Sequence, residues 1–95
     1  MDVSHDPRAQ KFSIALDGES EAILAYTEVN QTWEVHTVIV PEEFRGQGLA
    51  EQLALAAFAK ARELGVKIMP ACSYVAERFL PKHPELASLV THEYV

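Results

Sequence analysis

The chain is short of the residues that staple or anchor a small protein. It has one cysteine, Cys72, in 95 residues, so no internal disulfide can form. That usage fits a reducing, cytoplasmic compartment. No apolar run approaches the roughly 20 residues needed to cross a bilayer, so no membrane anchoring is expected. The first ten residues, MDVSHDPRAQ, lack the apolar core of a signal peptide. Lys and Arg number 8 against 14 Asp and Glu, a formal charge of −6. This deficit of cations argues against nucleic acid as a partner, because backbone binding needs a basic surface. It suits a cationic partner such as an amine. His5 and His92 have no companions at metal-ligand spacing, and no metal is expected. Glycine is also scarce, at four residues, yet Gly46 and Gly48 are separated by a single position.

What is present reads as one globular domain over residues 1–95. The composition is 48% hydrophobic and 23% charged, too apolar for a disordered chain. Residues 1–9 read as a flexible lead-in. From Lys11 to Leu16, Phe12, Ile14 and Leu16 alternate with Ser13 and Ala15, the period of a strand. Asp17-Gly18 is a hairpin signal. A second strand is expected from Ala22 to Val29, a turn at Asn30-Gln31, and a third strand from Thr32 to Val40, ended by Pro41. Leu49, Leu53, Ala57, Ala61 and Leu64 then recur at helical spacing within a helix expected over residues 47–64. Gly65 supplies its stop. Val66–Met69 reads as a short strand, Ser73–Leu80 as a helix, and Glu85–Val90 as a last turn or short helix.

The expected order is β-β-β-α-β-α: an antiparallel meander followed by a β-α-β unit. The fold class is therefore α/β, or α+β, with one parallel strand pair. A right-handed crossover makes the third and fourth strands parallel, so both end on one edge of the sheet. The segment after Val40 then faces the segment after Met69, where ligands bind in open α/β sheets.

The segment after Val40 is PEEFRGQGLA. A strand that turns through glycines into a helix is an anion-binding device, because the first helical amides are unpaired and carry partial positive charge. A P-loop requires a Gly-Lys pair, which is lacking here. The dinucleotide fingerprint begins at Gly46 and Gly48, but its third glycine would fall on Glu51, setting a carboxylate beside a pyrophosphate.

Arg45, Gly48 and Ala50 instead match the pattern R/Q-x-x-G-x-G/A, and here the chain resembles the GNAT superfamily of acetyl-CoA-dependent N-acetyltransferases. HTVIVPEEFRGQGLAEQL, Ala61-Arg62, PACSYV and KHPE together resemble its small single-domain YjdJ-type branch over roughly residues 10–90. One departure is an extra residue between His36-Thr37 and Pro41, of the kind a β-bulge introduces. The resemblance implies a compact GNAT-like fold with acetyl-CoA, or coenzyme A, as cosubstrate. It implies that Val38, Ile39 and Val40 pair with the pantetheine arm through their backbone. It also implies that the turn holds the pyrophosphate through Arg45, Gly46, Gln47, Gly48, Leu49 and Ala50.

Acetyl transfer to an amine needs a neutral amine, a donor to the carbonyl oxygen, a proton for the departing thiolate, and alignment. In the resemblance the oxygen's donor is a strand amide, here near Val38. Cys72 is the first side-chain candidate, as proton donor or acyl acceptor, since a helix start lowers a thiol's pKa. The alternative is a small buried hydrophobe. Tyr74 is a candidate proton donor, or a packing group. His36 has the pKa of a base near neutrality, or is structural. His83 either touches the coenzyme's thiol end or closes a loop, and Lys82 is a candidate for its 3′-phosphate. The acceptor is expected to be an amine on a small molecule or a protein, and the chain a monomer or weak homodimer. A coenzyme-A-binding module without transferase activity is the rival reading.

Overall fold

In the computed structural model, which describes residues 2–92, five strands form one mixed sheet in the order of the sequence. They are β1 (Ser4–Asp6), β2 (Lys11–Ala15), β3 (Glu21–Val29), β4 (Thr32–Ile39) and β5 (Lys67–Pro70). Neighbours β1 to β4 are antiparallel, and β4 pairs with β5 in parallel. One long helix, α1 (Leu49–Leu64), makes the crossover. Met1 and residues 93–95 of the expected single domain lie outside the described residues.

The period-2 pattern decides which face is buried. Phe12 and Ile14 on β2, Ala22, Leu24 and Tyr26 on β3, and Trp33 and Val35 on β4 are all buried. The register sets Phe12 opposite Leu24, Ile14 opposite Ala22, and Tyr26 opposite Val35, so these side chains share one face. Onto that face α1 lays Leu49, Leu53, Ala54, Ala57, Phe58 and Ala61. Three of these are alanines, which let the helix approach the sheet closely. Leu64, read from periodicity as part of the apolar face, is 55% exposed, although Ala61 one turn earlier is fully buried.

The N-terminal lead-in corrects the expectation of a flexible segment. Ser4–Asp6 pairs with Ser13, Phe12 and Lys11. His5 is the reason so short and polar a strand is held. Its ring stacks on Phe12 at 4.1 Å, and its Nε2 bonds the Tyr26 hydroxyl at 2.7 Å. Both expected turns form. Asn30 and Gln31 both take positive φ and join β3 to β4, as a tight hairpin requires. The Asp17-Gly18 turn extends to Ser20, whose amide donates to the Asp17 carbonyl at 3.0 Å.

The chain after β5 is helical but irregular. Residues 73–82 form one helical segment containing a π turn (Val75–Phe79) and a 3-10 turn (Leu80–Lys82), and a second 3-10 turn spans Pro84–Leu89. Val75 and Phe79 are buried, and Phe79 meets Phe58 of α1 at 5.5 Å, which docks the segment beside the long helix. Among the described residues no helix is long and apolar enough to cross a membrane.

Candidate functional site

The site is made where β4 and β5 part. Their parallel pairing ends at Val35 and Pro70. There the amides of Ala71 and Cys72 both donate to the Val35 carbonyl, at 3.0 and 2.9 Å, and turn the second chain away. β4 runs on without β5, still bonded to β3 on its other side. The next residue, His36, has no partner on β3: Tyr26 pairs with Val35 and Ala25 with Thr37. This bulge changes the local direction of the strand; it falls at His36 itself, ahead of the regularly paired Thr37–Ile39 where the extra residue was expected.

Beyond β4 a 3-10 turn (Glu42–Phe44) leads to Arg45 and the glycines. Gly46 and Gly48 have φ of 84° and 77°, in the left-handed region that favours glycine, and a Cβ built on either would meet nothing within 4 Å. The backbone there is open to an approaching group. Among the described residues, the amides of 46–51 find no protein acceptor; the first to do so is that of Gln52, to the Gly48 carbonyl at 3.1 Å. No side chain caps α1. Six consecutive amides, three in the turn and three opening the 16-residue helix, are therefore left without a protein partner. Arg45 steadies them, its Nε donating to the Val40 carbonyl at 3.1 Å.

A cleft of about 630 Å³ joins these parts. Of the residues singled out from sequence, it is lined by Val38, Ile39, Val40, Arg45, Gly46, Gly48, Leu49, Ala50, Tyr74 and Lys82. Gln47, between the two glycines, has an exposed side chain and offers its amide. The remaining three candidates are not among the lining residues. His36 sits on the bulge, exposed, with Nδ1 bonded to the Thr37 hydroxyl at 2.8 Å. Cys72 is half-buried and packs against the core. His83 is held outside the lining by two carboxylates, Nε2 to Glu51 at 2.8 Å and Nδ1 to Glu85 at 3.2 Å, and stacks on Phe79 at 4.5 Å.

Sequence reasoning missed Phe44 and three residues of the irregular helix and first turn of α1: Arg78, Phe79 and Glu51. Arg78 and Lys82 are four residues apart and both line the cleft. That spacing on the segment after PACSY was the available signal. With Arg45 they supply three cations to the cavity, in a chain whose net charge is −6. Burial, and then the Glu51 carboxylate, push the Tyr74 phenol up from its usual pKa against the opposing charge of Arg78. Near neutral pH it thus stays protonated.

Residues 11–89 match the GCN5-related N-acetyltransferase family. The chain belongs to that family. Protein NATD1 of Xenopus tropicalis is 36% identical over 89 residues, covering 87% of this chain and 82% of the relative. The human Protein NATD1 is 34% identical over the same length, covering 87% and 79%. A GCN5-like protein from Staphylococcus aureus, solved by NMR, superposes with a TM-score of 0.74 at 26% identity, covering 97% of this chain and 89% of that one. The α+β architecture expected from the sequence, a meander followed by a β-α-β unit, is thus the family's fold.

Proposed function

We propose that this GCN5-related domain binds acetyl-CoA in the cleft and transfers its acetyl group to a primary amine. One observation carries the reading: six consecutive unpartnered amides, two of them on open glycines, adjoin a cleft formed where parallel strands separate. A pyrophosphate suits that donor set, since oxyanions accept several N–H bonds at once and the helix start favours negative charge. Arg45 supports the turn and retains guanidinium donors beyond the Nε bonded to Val40. Lys82 and Arg78, which line the cleft from the helical segment after β5, suit the coenzyme's 3′-phosphate. The edge of β4 over Val38 and Ile39, beyond its last pairing with β5, together with Val40 just after it, suits the amides of the pantetheine arm.

The coenzyme supplies an acetyl thioester. The acceptor nitrogen forms the new C–N bond as the C–S bond breaks; the nitrogen loses a proton and the sulfur gains one. Tyr74 is the cleft-lining residue suited to give that second proton, because its phenol is kept protonated. A β4 amide near Val38 is the donor to the carbonyl oxygen. His36 and Cys72 have no part in this account, since neither lines the cleft.

Calorimetry with acetyl-CoA tests binding, and thiol release across a panel of small and peptidyl amines tests transfer. Binding with amine-dependent thiol release is expected. Binding without release by any amine makes the domain a coenzyme-A-binding module. Absence of binding up to millimolar coenzyme contradicts both readings.

A further inference from the structure

Glu51 occupies an awkward position for a polyphosphate site. It is the third residue of α1, it lines the cleft, and its own amide is among the six unpartnered ones. A bare carboxylate there repels the anion that the amides attract. It is not bare. Its Oε2 lies 2.8 Å from Nε2 of His83, and the other ring nitrogen, Nδ1, lies 3.2 Å from Oε2 of Glu85. Ionised carboxylates only accept hydrogen bonds, and a neutral imidazole has one donor, so both contacts are satisfied together only by the imidazolium. The stack on Phe79 fixes the ring plane, and the side chain is 18% exposed. Outward from it stand Glu51 on α1 and Glu85 on the last 3-10 turn, with Arg62 of α1 acting on Glu85. Arg45, Arg78, Lys82 and Tyr74 line the cleft with Glu51. The histidine is the member of this set whose charge changes near neutral pH.

We propose that His83 is the counter-charge of Glu51, so that binding of a polyphosphate ligand in the cleft is coupled to a proton on His83. This rests on the coenzyme reading above and adds its regulation. The protonated ring neutralises the carboxylate that faces the ligand, and a bound polyanion in turn holds the proton more firmly. By linkage the two effects are equal, so coenzyme affinity falls as pH rises through the His83 titration. His83 acts through Glu51 and is a positioning residue.

The test is a calorimetric titration of coenzyme A into the full chain between about pH 6 and pH 9, the range that brackets an imidazole. Wild type is compared with Glu51→Gln and His83→Gln. Ionisation of the ligand's own phosphate is common to all three and cancels. Wild-type affinity is expected to fall with pH by about tenfold more than that of Glu51→Gln, the equivalent of a one-unit change in the His83 pKa. Glu51→Gln should bind tightly throughout, and His83→Gln should stay at the weak, high-pH level of the wild type. The two variants thus depart in opposite directions, which loss of fold does not produce. Glu51 is 45% exposed, so its replacement leaves the core intact and that arm stands alone if His83→Gln is unstable. Parallel profiles for wild type and Glu51→Gln overturn this proposal alone. No binding by any protein at any pH overturns the coenzyme reading and this proposal with it.

Discussion

Arg45 donates through Nε to the carbonyl of Val40, 3.1 Å away, so the cation at the entrance of the turn is tied to the strand that leads into it. The bond closes residues 40–45 into a loop, inside which the amides of Phe44 and Arg45 are already bonded to Pro41 and Glu42, and the unpartnered amides follow it. Loss of this side chain removes both a brace and a charge. Arg45→Ala should weaken coenzyme A by roughly 1.5–3 kcal/mol, the worth of a hydrogen bond to a charged group. Arg45→Lys should recover little of it, because lysine lacks the forked donor set. Calorimetry on the three proteins checks this.

Gly48 has φ of 77° with open space around it, so a methyl group there costs conformation without collision. Gly48→Ala should destabilise the fold by about 1–2 kcal/mol, the cost of a left-handed alanine. Gly18, at φ of 62° and also unobstructed, is the control. Gly18→Ala should show a similar thermal shift and unchanged coenzyme binding, whereas Gly48→Ala should weaken it.

Tyr74→Phe tests the proton donor. With the best amine of the panel, kcat should fall by at least about a hundredfold, the usual scale for a general acid, while coenzyme affinity changes little. Burial and Glu51 hold the phenol protonated, so wild-type activity should persist to higher pH than an ordinary tyrosine allows. Cys72→Ala should alter kcat by less than about threefold, as expected for a small hydrophobe that packs against the core.

Two histidines should move stability with pH in opposite directions. Burial, and then Lys60, lower the pKa of His5, while Asp6 opposes. Its contribution is present above the unfolded value and is lost as pH falls from there towards the lower folded one. The hydrogen bond to Glu51 leads the causes that raise the pKa of His83. Its contribution is complete below the unfolded value and is lost as pH rises through the folded one. Thermal melts between about pH 5 and 8 should therefore show His83→Gln losing more stability on acidification than the wild type, and His5→Phe losing less.

The turn was legible because its chemistry is local. Glycine spacing, the preceding apolar strand and the following helical period are all properties of neighbours in sequence. The meander was legible for the same reason, since Phe12, Ile14, Leu24 and Val35 carry the period themselves. β1 was not, because Ser4–Asp6 has no pattern of its own and is held by the stack of His5 on Phe12. His36 could not be oriented from sequence, since a bulge breaks the alternation at that residue. Arg78 and Glu51 escaped because their roles depend on how two helical segments meet at Phe58 and Phe79. Cys72 sits two residues before Tyr74, and only the packing of that segment decides which of them reaches the cleft.

The most direct test follows the backbone amides of the turn by nitrogen-15 NMR while coenzyme A is added. The largest shifts, saturating with ligand, are expected on Gly46, Gln47, Gly48, Leu49 and Ala50. Shifts centred elsewhere, or none at these amides at millimolar coenzyme A, contradict the coenzyme reading.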